Sequence, residues 1–431
     1  MDQENPFDQT NALDEVLLDV ATIIELSPRD RRIAANRYRR LKAQLEASTS
    51  PLAPFLVDGE SRIYAQGSIA TSTTIISGID EDRFDVDAIV EIDVPLDWSD
   101  SKPLDLLEEA LEGFPGVEKI VRCTRCVQLQ FAFMHMDVTI LDRRDKIQGD
   151  RPGEIFHSPD AEPAYRVPSN PWGFTDWFRS KIKPGQLLLT DSLNKRREAN
   201  SKSRLRAIDE AESKIIADAE QDDLPPVIPA RVDAQEAIAL KLLKRNLNIQ
   251  YENEVLKRPP TIYFTKKTGD FGYVDGGQSA QLYSLAKYIA REMRQHVKNG
   301  TRPEEENPSY RPDKITDRWP RIGADGVRDM EKLADKLEYL AGRLNEMAGA
   351  SLAEIAEGID ELFGESIGKQ YRQVLKDRYD RRNNSTPIKA KPRTGQILAP
   401  ALSTMAGPSV EVPRHNFHCD VLEKKGGDGK S

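Results

Sequence analysis

Apolar and polar positions alternate with period two from Phe84 to Ile92. Phe84, Val86, Ala88 and Val90 share one face, and Asp85, Asp87, Ile89 and Glu91 share the other, which predicts a β-strand. A second alternating run, His135 to Leu141, carries Asp137 in the same way. Shorter runs over 119–122 and 127–131 predict two more strands, and the segment 104–111 predicts a helix before them. Strands with an intervening helix make a compact mixed sheet.

On the N-terminal side, Leu17, Leu18, Val20, Ala21, Ile24 and Leu26 form an apolar helical stretch. Ser27 as cap and Pro28 at the first position open a second helix reaching about Leu45. Its basic side (Arg31, Arg32, Arg37, Arg39, Arg40) reads as a solvated face, and 48–54 as a loop. Residues 152–177 read as a loop-rich crossover whose aromatic block, Trp172, Phe174, Trp177 and Phe178, packs a core. Charge-dense residues 192–223 predict a long bridging helix, ended by the proline-rich run 224–229. Asp233, with Glu236 three residues on, caps a further helix bearing Ile238, Leu240, Leu242, Leu243 and Leu247. Lys241, Lys244 and Arg245 project from that helix. Amphipathic helices follow over 325–347 and 352–375. From about Asn383 the chain turns to Pro, Gly, Ser and charge without a period, which predicts a flexible or peripherally docked tail.

The chain of 431 residues exceeds one ordinary core, so two lobes are expected. No apolar run approaches the roughly 20 residues that span a bilayer, and the acidic N-terminus is unlike a signal peptide. Three cysteines suit a reducing compartment, and the cytoplasm is expected. Cys123-Thr124-Arg125-Cys126 is a lone C-x-x-C with no second pair for zinc, and reads as small apolar residues at a strand start. His415, His418 and Cys419 lack a fourth ligand. A net charge of −9 argues against an enzyme tracking long nucleic acid, which needs a basic surface. It leaves local nucleotide binding open.

Asp85 and Asp87, at i and i+2 on a strand, project side by side with backbones roughly 7 Å apart. Two anions so placed call for a cation, and hard oxygen ligands on a rigid strand suit Mg²⁺, which completes its shell with substrate phosphates. Gly67-Ser68, before the hydroxyl run Thr71, Ser72, Thr73 and Thr74, offers close backbone approach and a donor to a phosphate. With Asp137, three carboxylates from two strands suffice for two metals and in-line displacement at phosphorus. His135 shares Asp137's strand face and reads as a neighbour of that site.

The succession QGS, FDVDAIVEI and MDVTIL resembles the DNA polymerase β-type nucleotidyltransferase superfamily. Within it the chain resembles the bacterial cGAS/DncV-like nucleotidyltransferases (CD-NTases), over about residues 14–380. The resemblance implies an α+β fold: a mixed-sheet core with N-terminal helices (1–205), a helical lobe completing a central cleft (206–382) and a tail (383–431). It implies two Mg²⁺ ions, replaceable by Mn²⁺, on Asp85, Asp87 and Asp137 as catalytic ligands. Gly67, Ser68, Lys244 and Thr261 would grip the donor triphosphate, Thr261 standing where Ser is commoner. Asn307-Pro308 and Asp317-Arg318-Trp319 match another block, with Thr316 where Asn is usual and Asn307 fixing a turn. The implied activity is synthesis of a cyclic di- or trinucleotide second messenger in anti-phage defence, from ATP first, with GTP or a pyrimidine NTP as other substrates. The alternative is a non-cyclising transfer of NMP to an RNA end, a protein or a small molecule. Operon-encoded regulators acting on the tail, whose Gly426–Ser431 end is sterically accessible, are a further expected partner.

Overall fold

The alternating runs pair into one seven-stranded sheet. Strands β1 (Arg62–Gln66), β2 (Phe84–Ile92), β3 (Lys119–Arg122), β4 (Val127–Gln130) and β5 (Met134–Asp142) take the order β1-β2-β5-β4-β3. The hairpin β6 (Gly153–His157) and β7 (Tyr165–Ser169) continues from β5. Only β2 and β5 run parallel; the other pairings of this sheet are antiparallel. Parallel neighbours need a long crossover, and the chain supplies it through helix α4 (Lys102–Leu111), β3 and β4. From Ala88 to Ile92 every residue of β2 is buried, as a central strand covered on both faces requires.

The computed structural model describes residues 12–56, 62–76, 83–143, 151–160, 162–185, 187–204, 232–385, 389–390, 397–399 and 410–411. Residues 1–372 form one compact unit and 373–431 a second. In the first, α1 (Ala12–Ile24) is followed by α2 (Pro28–Glu46), opened by a full capping box between Ser27 and Asp30. The Tyr38 hydroxyl of α2 donates to the backbone oxygen of Asp87 at 2.6 Å, bracing the strand that bears the carboxylates. A four-residue turn of helix, α3 (Gly67–Ala70), follows β1 directly. Beyond the sheet come α5 (Pro171–Lys181), α6 (Leu187–Arg204), α7 (Gln235–Tyr251), α8 (Thr261–Phe271) and α9 (Gly277–Asn299). The two-stranded sheet of β8 (Glu306–Asn307) and β9 (Tyr310–Lys314) precedes α10 (Ala324–Met347), α11 (Leu352–Phe363) and α12 (Glu365–Ser385).

Several expectations change. The loop-rich crossover at 152–177 contains the β6–β7 hairpin and α5, the latter capped by Asn170, which accepts from the Gly173 amide at 2.9 Å. Pro168 disguises β7 in the sequence; it is tolerated because β7 is an edge strand of its sheet. Asp233 does not cap α7. Its carboxylate pairs with Arg197 at 2.6 Å, while Glu236 accepts from the Lys183 amide at 3.1 Å. A buried guanidinium outcompetes a helix amide because both partners are charged. The single helix expected over 352–375 is broken at Gly364, whose φ of 95° suits glycine. The aromatic block does pack: Phe174 and Phe178 are buried, and Trp177 of α5 lies where a side chain on Gly269 of α8 would have to be.

The second unit holds the end of α12 and a small antiparallel sheet of β10 (Lys389–Ala390), β11 (Ile397–Ala399) and β12 (Val410–Glu411). Strands of two or three residues leave no period in a sequence, so the tail reads there as structureless. The continuation of the bridging helix over 205–223, its proline-rich stop at 224–229, His415, His418, Cys419 and Gly426–Ser431 lie outside the described residues. Among the described residues, no helix is long and apolar enough to cross a membrane.

Candidate active site

Strand register brings the carboxylates together. In the parallel pair β2–β5, Asp87 stands directly beside Asp137, and Asp85 beside His135. All four side chains line one cleft of about 500 Å³. Asp85 is mostly solvent-exposed (73 %), and His135 Nδ1 approaches its carboxylate at 3.5 Å. Asp137 accepts a 2.8 Å bond from Gln128 Nε2, and Gln128 is held in turn by Gln130 at 2.8 Å. Burial, then the charges of Asp137 and Asp85, push Asp87 up to about 8; only Lys244 opposes them. Burial also raises Asp137, against the Gln128 hydrogen bond.

The turn after β1 faces this wall. Gly67 has φ +63°, and a Cβ there would lie 2.2 Å from Asp87 Oδ2, so only glycine lets the turn approach the carboxylates this closely. The hydroxyl run closes the turn on itself. Thr71 Oγ1 donates to Gly67 O at 3.1 Å, the Thr73 amide donates to Ser68 O at 2.8 Å, and Ser68 Oγ lies 3.0 Å from Thr74 Oγ1. Arg179 of α5 fixes the far end, donating to Ala70 O at 3.0 Å. Gly67, Ser68, Thr71 and Thr74 all line the cleft.

Helices α7 and α8 supply the opposite wall. Lys244, only 5 % exposed, donates from Nζ to Thr73 O at 2.8 Å and forms no salt bridge among the described residues. Burial and the nearby Arg258 push it down to about 7 against the attraction of Asp87. The three basic residues of α7 do not all project as the sequence suggests. Lys241 is buried against Glu25 at 2.6 Å, and Arg197 joins the same carboxylate at 2.8 Å. Arg245, fully buried, donates to Phe363 O at 2.9 Å and Ile76 O at 3.2 Å. Lys244 alone of the three lines the cleft, with Thr261 at the start of α8.

Sequence reasoning gives no role to Arg258, Asn248, Gln128 or Arg83, all of which line the cleft. Arg258 is the most consequential. Half-buried against Asn248, with Thr261 Oγ1 3.4 Å away, it forms no salt bridge among the described residues. Its signal in the sequence is an arginine immediately before Pro259-Pro260, a rigid step that fixes where the helix begins.

The donor set fits Mg²⁺ in part. Among the described residues no three His, Cys, Asp or Glu side chains already form a group that could hold a metal ion. Yet Asp87 and Asp137 repel each other in a buried place, and a divalent cation between them would reverse that repulsion. Mg²⁺ commonly takes one or two carboxylates and fills its shell with water and phosphate oxygens, so the protein need not present a closed cage.

A paired-carboxylate strand facing a close glycine turn, with a buried lysine and a half-buried arginine across the cleft, suits the binding of a nucleoside triphosphate. Comparison with known proteins agrees. The chain is 29 % identical to the cyclic dinucleotide synthase CdnG of Bradyrhizobium diazoefficiens over 414 residues, covering 94 % of this chain and 92 % of that one. The structure of that species' CD-NTase CdnG in complex with GTP superposes with a TM-score of 0.69 at 28 % identity, covering 84 % of this chain and 99 % of the other. The fold is also shared with Escherichia coli MS115-1 CdnC, solved with ATP, at a TM-score of 0.51 and 13 % identity over 83 % of this chain and 99 % of that one. No protein-family model matches the chain. The chain is similar in sequence and structure to the bacterial cGAS/DncV-like nucleotidyltransferases and has an α+β fold of mixed sheet and helices.

Proposed function

We propose that this chain joins two nucleoside triphosphates in successive transfers, releasing pyrophosphate each time and closing a cyclic dinucleotide that serves as a second messenger in anti-phage defence. The observation that carries the reading is the opposition across one cleft of a carboxylate wall (Asp85, Asp87, Asp137) and a phosphate-gripping wall (Ser68, Lys244, Arg258, Thr261). Cyclisation is favoured by the curated relative that spans nearly the whole chain, a cyclic dinucleotide synthase. GTP and ATP, found with the two solved relatives, are the first substrates to try.

The chemistry follows from the side chains. Ser68 Oγ and the amides of the Gly67 turn donate to the donor triphosphate, and Lys244 and Arg258 neutralise its charge from the other side. Thr261 adds a hydroxyl where α8 begins, a position that favours anions. Gln128 orients Asp137, leaving its other oxygen for the reacting centre. Mg²⁺ on Asp85, Asp87 and Asp137 would, when bound, lower the pKa of the attacking 2′- or 3′-hydroxyl and neutralise the leaving pyrophosphate. Incubation with GTP and ATP alone tests the reading. A phosphatase-resistant product of cyclic mass is expected without any added acceptor, whereas product only when an RNA end, protein or small molecule is supplied would establish the non-cyclising alternative.

Lysines three residues apart on α7 should separate grip from architecture. Lys244→Ala removes a charge-assisted contact worth about 1.5–3 kcal/mol, so catalytic efficiency should fall by roughly one to two decades with thermal stability kept. Lys241→Ala takes a buried cationic partner from Glu25 and should cost about 3–5 kcal/mol of stability. NTP saturation kinetics and thermal unfolding on both variants check this. Unchanged kinetics in Lys244→Ala would remove it from the triphosphate grip.

A further inference from the structure

The C-x-x-C motif, left without a role by its sequence, closes the β3–β4 turn beside the carboxylates. The Cys123 amide donates to Cys126 O at 2.9 Å, so the two cysteines face each other across a two-residue turn. Alternation along β4 puts Cys126 on the same face as Gln128, and Gln128 pairs directly with Asp137. Both thiols are free and half-buried. The turn is held rigidly: Thr124 O accepts from the Ser158 amide at 2.8 Å, and Arg125 reaches His157 at 3.1 Å and Asp317 at 2.6 Å. Facing residues of a hydrogen-bonded antiparallel pair have Cα atoms about 5.5 Å apart, inside the usual disulfide range of about 4.4–6.8 Å.

We propose that Cys123 and Cys126 form a reversible disulfide, made by hydrogen peroxide and undone by thiol reductants, that slows nucleotide joining by altering the support of Asp137. The proposal rests on the nucleotidyltransferase reading above. Cys126 is a positioning residue: it lies two positions from Gln128 on the same face of β4, and Gln128 holds the Asp137 carboxylate at 2.8 Å. In the first step Cys123 attacks the peroxide. Its sulfur takes one peroxide oxygen as the O–O bond breaks, giving a sulfenic acid and one water. Cys126 sulfur then attacks Cys123 sulfur, the S–S bond forms, the S–O bond breaks and a second water leaves. Overall two thiols lose two electrons and two protons, and one peroxide becomes two waters. The disulfide draws the start of β4 toward Cys123 and with it Gln128, the hydrogen-bond donor to Asp137.

The test uses the full-length chain carrying Cys419→Ser, so that the remaining pair is the only one available. After peroxide, peptide mass mapping should find Cys123 linked to Cys126. Synthesis from GTP and ATP should drop by roughly one to two decades, as loss of the Gln128 hydrogen bond to the Asp137 carboxylate implies, and recover with dithiothreitol. The thermal shift produced by Mg²⁺ with a non-hydrolysable NTP should shrink in parallel, a readout that needs no turnover. Cys123→Ser, with Cys123→Ala as a second version, should keep the reduced rate and lose the peroxide response. Absence of the disulfide, a disulfide that leaves both readouts unchanged, or equal inhibition of the Cys123 variants would overturn the proposal. Reduced protein that binds nucleotide without making cyclic product would overturn the synthase reading alone, and the binding shift would still decide the switch.

Discussion

Asp87→Asn should abolish nucleotide joining, by roughly a thousandfold or more, while the protein stays folded and melts no lower than the parent. Burial and two like-charged neighbours make the ionised form of Asp87 unfavourable in the protein alone. An amide of the same size removes that repulsion, so the stability change should be neutral or favourable. It also removes the charge that a divalent cation needs, which is where the activity goes. Asp137→Asn should behave alike in activity, since its retained oxygen still accepts from Gln128. Asp85→Asn, on a mostly exposed carboxylate, should lose activity with no change in melting. Initial rates with GTP and ATP, beside thermal unfolding of all three, decide it. Near-parental turnover in any two variants would remove the two-metal assignment.

The carboxylate wall is legible in the sequence because strand alternation is local: Asp85, Asp87 and Asp137 each announce their face through apolar neighbours at i±1. What alternation does not say is that β2 and β5 are parallel neighbours in register, which sets Asp87 beside Asp137. The far wall is less legible. Periodicity treats Lys241, Lys244 and Arg245 alike, and their fates are decided by partners remote in sequence, Glu25 for one and the carbonyls of Ile76 and Phe363 for another. Lys244 stands out by resemblance alone. Arg258 and Gln128 escape because a polar residue in a loop or on one face of a strand looks the same whether it meets water or a cleft. The β6–β7 hairpin escapes for a related reason: a proline and exposed residues mark an edge strand as strongly as they mark a loop.

Gly67→Ala should be nearly as damaging as loss of a carboxylate, though it removes no functional group. Two effects act at this position and can be told apart. The first is backbone strain: at φ +63° an L-residue costs about 1–2 kcal/mol relative to glycine. The second is collision, since the new methyl would sit 2.2 Å from Asp87 Oδ2 and 3.0 Å from its Cγ. Either the carboxylate swings away from its partner Asp137 or the Ser68 turn retreats, and both displace reacting groups by about an ångström. Misplacement of that size costs about a hundredfold in rate even when every group is present. Gly113→Ala supplies the control. Gly113 has a similar φ of +71°, but a methyl added there would meet nothing within 4 Å, and the residue follows α4 away from the cleft. It should therefore show a comparable loss of melting temperature with an unchanged rate. If Gly67→Ala also kept its rate, the close approach of turn and carboxylate would be irrelevant to the chemistry, and the phosphate grip would have to be sought at Lys244 and Arg258 alone.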